Sequence, residues 1–262
     1  MTSFPTCVKA PGRALIPLAV LCLLNPAFQG WLAAQEAPQG GETAAVEVAP
    51  PSGSGGAPHT PGKVGKIPKF ERLPDGDIRL GGVTVHRQKR EISFPAKVNL
   101  MSGKLDLMIS TGEGRLYESL LRTDVRPLHL QTLMYLLRIR NGPRFKQEDG
   151  RQGDLVDIEL AYTNAEGETT REPIEQWMCD ERTGKPMTRY GWVFVGSDIR
   201  DGMFLAEVEG NVVVTYSCGA TVLDIPDEGG NKAWTFYVNP EKTEPGKDAD
   251  VRVILIPREP QP

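Results

Sequence analysis

From about Phe70 onward, apolar residues recur at every second position, and no other feature of the sequence constrains the fold as strongly. Ile92, Phe94, Ala96, Val98 and Leu100 form one such run. Leu105, Leu107 and Ile109 form the next, after Ser102-Gly103. Together they predict a strand, a turn and a second strand with one buried face. Pro95 predicts that the first strand is an edge or carries a bulge. The spacing returns at Val156, Ile158, Leu160 and Tyr162, then at Phe204, Ala206 and Val208, then at Val212, Val214 and Tyr216. The last two runs flank Gly210-Asn211 and predict a hairpin. Trp234, Phe236 and Val238 predict one more strand. Residues 251–256 are apolar nearly throughout, as in a central strand covered on both faces.

One helix stands apart from this pattern. Pro127 suits a first helical position, and Leu130, Leu133, Met134 and Leu137 follow the spacing of a core-facing stripe. Arg138 and Arg140 favour the carboxyl end of the dipole, and Asn141-Gly142-Pro143 supplies a left-handed cap and a breaker. The expected fold class is therefore α+β: a mostly antiparallel β-sheet or sandwich with one dominant helix at about 127–140. The segment 145–154 is polar and is expected to be a loop, as is Thr111-Gly112-Glu113-Gly114-Arg115, which lacks the ending of a phosphate loop. The acidic stretch 224–228 is expected to be a solvated turn.

Before the alternation begins, the chain has a different character. Lys9 and Arg13 are the only charges in the first 34 residues, and an apolar run at 14–24 follows them. Ala33 and Ala34 then precede polar Gln35 and Glu36. This order predicts a signal peptide at 1–34, with an uncleaved N-terminal anchor as the alternative. Residues 35–69, rich in Pro and Gly, predict a disordered linker, and 70–262 a single domain. With 30 basic and 34 acidic residues, the chain has no strong basic field, so nucleic acid is not an expected partner. Of four cysteines, Cys7 and Cys22 leave with the leader. Cys179 and Cys218 remain, either as a disulfide or as two buried thiols. They cannot ligate an iron–sulfur cubane alone, and no cofactor is predicted.

Several ordered strings resemble the YdjY-domain family of exported bacterial proteins. They are Ile92-Ser93-Phe94-Pro95-Ala96-Lys97, Glu118-Ser119-Leu120-Leu121, Pro127-Leu128-His129-Leu130-Gln131, Thr183-Gly184-Lys185-Pro186-Met187 and Gly191-Trp192-Val193-Phe194-Val195-Gly196-Ser197. The resemblance covers roughly 83–257. It implies export and a single folded unit, and little about activity. Relatives carry a His–Glu–Ser triplet before the helix. Here the triplet is Tyr117-Glu118-Ser119, so one ligand or base of that pattern is missing, while the later histidine corresponds to His129.

Two constellations follow from the residues themselves. Glu118, Ser119, Thr123 and His129 surround the helix entry. They form either a base or metal site or a cluster of turn and cap residues. No GxSxG elbow is present, which argues against a serine hydrolase of that type. Trp177, Tyr190, Trp192, Phe194, Gly196 and Ser197 form either a shallow cleft for a peptide or glycan edge or, as favoured, plain strand core. For metals, only His86 and His129 lie in the folded part. The expectation is a periplasmic or secreted, non-catalytic binding or structural module. Its partner is an envelope component, protein or glycan, and membrane contact arises only through an uncleaved N-terminal segment. The alternative is a metal-dependent or acid/base enzyme, or an accessory domain, using Glu118 and His129.

Overall fold

The computed structural model describes residues 69–217 and 219–259. The expected leader, the linker up to residue 68 and Cys218 lie outside the described residues. The chain opens with a meander, β1 (Phe70–Arg72), β2 (Ile78–Leu80) and β3 (Val83–His86), that runs into β4 (Glu91–Val98). Next come β5 (Lys104–Leu105), β6 (Leu107–Thr111), a 3₁₀ turn at Leu116–Glu118 and β7 (Ser119–Thr123). Helix α1 (Pro127–Leu136) precedes β8 (Leu155–Thr163), β9 (Thr169–Pro173), β10 (Met178–Asp180), β11 (Lys185–Pro186) and β12 (Trp192–Phe194). The hairpin β13 (Ile199–Arg200) and β14 (Met203–Phe204) leads into α2 (Leu205–Glu209). The chain ends with β15 (Asn211–Val214), β16 (Leu223–Asp224), β17 (Phe236–Val238) and β18 (Asp250–Pro257).

Eight strands close on themselves in the order β4, β18, β8, β12, β16, β15, β6, β7 and back to β4. This corrects the α+β sheet or sandwich expectation. The protein is mostly β, a closed barrel of mixed strands with extra strands and only two α-helices among the described residues. Closure rests on two pairs, Lys97 with Arg122 and Val98 with Leu121. The ladders β6–β7 and β15–β16 are parallel, each reached by a short return loop. The alternation matches burial along β4, β18 and β8 but not at Val208 or Trp234, which are exposed. Phe94, Val253 and Leu160 lie in one cross-strand row, and Ile92, Leu255 and Ile158 in another, all fully buried. As expected, β18 is central, between β4 and β8.

Pro95 shows how the seam is built. The N–H of Val98 bonds Ala249 on one side, and that of Asn99 bonds Leu120 on the other. Odd positions of β4 therefore face β3 and β7. β3 pairs with residues 91–93 and β7 with 97–98, so Pro95 sits where one partner ends and the next begins. No ladder N–H is needed there, and Thr123 Oγ1 donates to the Pro95 carbonyl at 2.7 Å. The proline marks a gap between partners, not a sheet edge.

Three local expectations change. β4 and β6 do not pair across Ser102-Gly103; β5 instead joins a separate four-stranded sheet, β11–β10–β17–β5. The predicted hairpin around Gly210-Asn211 is absent. Residues 205–209 are helical, and Gly210, at φ 71°, is the left-handed cap of α2. Alternation over five residues rich in helix formers does not separate the two states. Helix α1 begins at Pro127 as expected but ends at Leu136, because Arg138 takes φ 60°. The Ile139 N–H bonds Met134 O at 3.1 Å and the Arg138 N–H bonds Tyr135 O at 2.9 Å, a Schellman closure with arginine in the glycine position.

Candidate functional site

The structure divides the cluster expected around the helix entry. β7 separates its members: Ser119 and Thr123 stand at opposite ends, about 13 Å apart at ~3.3 Å per residue. Glu118, 4 % exposed, belongs with Arg115, its ion-pair partner, and with Trp234. The Ser119 hydroxyl donates to Leu121 O at 2.9 Å, and Thr123 Oγ1 accepts the Val125 N–H at 3.2 Å. His129 is buried beyond the other end of the strand, against Gly81. Burial lowers its pKa, the Arg126 charge adds to this, and Glu207 opposes it. Glu118 and His129 thus have separate surroundings. No group of three or more His, Cys, Asp or Glu is placed to hold a metal among the described residues.

The aromatic set resolves as core. Trp177, Trp192 and Phe194 are at most 1 % exposed. Each indole N–H is satisfied: Trp177 donates to Glu172 at 2.7 Å and Trp192 to Glu175 at 2.9 Å. Tyr190 is exposed, Ser197 is bracketed by the Gln131 amide, and Gly196 makes a bend at φ 70°. Cys179 is buried and makes no disulfide among the described residues, and burial raises its pKa. Cys218, its partner in the disulfide alternative, lies outside the described residues.

A different aromatic residue breaks the pattern. Trp234 adopts φ 61°, a left-handed conformation that costs a bulky side chain about 1–3 kcal/mol, and the residue is 58 % exposed. Core packing cannot explain that conformation, because the ring is not in the core. Two buried carboxylates hold it. The backbone N–H donates to Asp106 Oδ1 at 2.7 Å, and the indole Nε1–H donates to Glu118 Oε2 at 3.4 Å. Asp106 is 2 % exposed, and Arg115 lies 3.9 Å from its other oxygen while pairing with Glu118. Glu118 thereby becomes a positioning residue for an exposed indole. Three residues on, Tyr237 borders a shallow recess of about 310 Å³ with Gly103, Lys104 and Glu181. Sequence reasoning missed Trp234 because its parity with Phe236 and Val238 assigned it to the same buried face.

Two other polar groups escaped the sequence. Asp224, expected in a solvated turn, is 5 % exposed on β16. Burial pushes its pKa up to about 6, against the opposing effects of the Ser217 hydroxyl, Arg144 and the Ile225 N–H. On the meander, His86 Nδ1 lies 2.6 Å from Asp77 Oδ2, and His86 Nε2 lies 2.8 Å from Ser93 Oγ. Register brings these three together. Ile78 pairs with Val85, so Asp77 falls opposite His86; Thr84 pairs with Ser93, one step diagonal to it. Separations of nine and seven residues carry no motif until the two hairpins are known.

Comparison with protein-family models, with curated proteins and with solved structures finds no match to this chain.

Proposed function

We propose that the chain acts outside the cytoplasm as a binding module, with Trp234 as the contact residue for an envelope glycan. One observation carries this reading: an exposed indole is kept in an unfavourable backbone conformation by two buried carboxylates. Strain of this kind persists where the surroundings over-determine it, and it clusters at ligand-contact positions. Indole is rigid and amphipathic, so it offers contact area at low entropy cost. Its close neighbours are charged, namely Asp106, Arg115 and Glu118. That chemistry suits a sugar ring, with one apolar face and a polar rim, better than the apolar core of a protein interface. The leader-like N-terminus and the YdjY resemblance support an extracytoplasmic setting.

The test is cosedimentation of the full-length protein with isolated cell-wall glycan. Wild type is expected to bind, Trp234→Phe to bind more weakly, and Trp234→Gly to lose at least tenfold in affinity. Glycine fits φ 61° without strain, so that variant should melt no lower than wild type. Glycan binding that is equal in wild type and Trp234→Gly, or absent from both, overturns the reading.

A further inference from the structure

We propose that Asp77, His86 and Ser93 form a nucleophilic relay that transfers small acyl groups. The proposal does not rest on the glycan reading and uses none of its residues. The geometry has a direction. Asp77 Oδ2 can only accept as a carboxylate, so it takes the Nδ1–H of His86, and Nε2 is left to accept from the Ser93 hydroxyl. The acid is itself held in place: Asp77 Oδ1 accepts the Arg87 N–H at 3.1 Å, and the Asp77 N–H donates to Asp75 Oδ1 at 3.0 Å. Tying two strands together does not require this polarity, since any pair of hydroxyls would serve.

The relay also has a mouth. Asp75, Asp77, His86, Gln88 and Lys89 line a recess of about 260 Å³. The Gln88 and Lys89 side chains make no hydrogen bond or ion pair among the described residues. Both carry hydrogen-bond donors and line the recess beside His86. Ser93 is 2 % exposed behind the imidazole, whose side chain is 33 % exposed. Such burial favours the smallest acyl class, an acetyl ester, as the substrate.

The chemistry balances as ester hydrolysis. Ser93 Oγ forms a bond to the acyl carbon while its proton passes to His86 Nε2. The bond to the leaving alcohol breaks, and that oxygen takes the proton from His86. Water then attacks the acyl carbon, His86 takes the water's proton and returns it to Ser93 Oγ, and a carboxylic acid leaves.

The experiment treats the full-length protein with methanesulfonyl fluoride, whose sulfonyl group is about acetyl-sized, and locates the adduct by intact mass and peptide mapping. Ser93 attacks sulfur and fluoride leaves, so one adduct on Ser93 is expected, with none in Ser93→Ala. Asp77→Asn keeps the side-chain shape but reverses the imidazole tautomer. It should slow labelling by at least about 100-fold while the melting temperature reports that the fold persists. Heat-unfolded wild type should not label. Absence of a Ser93 adduct overturns the proposal. So does an adduct that forms equally fast in Asp77→Asn or in the unfolded chain; the three residues are then a structural clasp only.

Discussion

Asp224→Asn isolates the energetic cost of a buried carboxylate in the barrel wall. The side chain is 5 % exposed, and its pKa is pushed up to about 6, chiefly by burial. The ordinary value in an unfolded chain is about 3.9. A carboxyl whose folded pKa is raised favours folding while protonated. Its contribution is complete below about pH 4 and is lost as pH rises through about 6. Two pKa units at ~1.36 kcal/mol each make this loss about 3 kcal/mol by pH 7. Asparagine keeps the local bonding, because its oxygen can accept the Ile225 N–H and its amide can donate to the Ser217 hydroxyl. Urea unfolding, followed by the fluorescence of buried Trp177 and Trp192, would be run between pH 4 and pH 7. The variant should gain about 3 kcal/mol on wild type across that range, with most of the change between pH 4 and 6. A stability difference that stays constant with pH would refute the assignment.

Three further substitutions test the packing. Arg138→Gly puts the residue preferred for φ 60° at the end of α1 and should raise stability by about 0.5–1 kcal/mol, read from the urea midpoint. Gly81→Ala should lower it by about 1–3 kcal/mol, because a Cβ there would meet His129 Nδ1 at 2.6 Å on a backbone at φ 57°; the His129 ring resonances should shift with it. Thr123→Val removes the hydroxyl that joins the Pro95 carbonyl to the Val125 N–H and should cost about 1–2 kcal/mol, measured by thermal unfolding.

Much of the local structure was legible. The run 251–256 predicted a central strand, and β18 lies between β4 and β8. Pro127 predicted the start of α1. What could not be read was pairing. Alternation records which face of a strand is buried and says nothing about its neighbour. The barrel is decided by the two residue pairs that join β4 to β7 and by two parallel ladders. The same limit hid the polar groups. Asp224 stands among acidic and turn-forming residues, so composition placed it in solvent, whereas its pairing with Val193 and Val214 buries it. Glu118 was legible as a residue of interest, but its partner Trp234 lies 116 positions away in the chain. Asp77, His86 and Ser93 meet only through the register of adjoining strands.

The division of β4 between two neighbours has a consequence for where the chain can be cut. β7 holds its C-terminal end inside the closed ring, whereas on the edge away from β18 the positions from Glu91 to Ser93 are covered by β3. A truncation beginning at Arg90 would keep every stave of the barrel and still uncap three residues of bare ladder. Such a stub invites a strand from another molecule, so the shortened protein would self-associate while a version starting at Phe70 stays monodisperse.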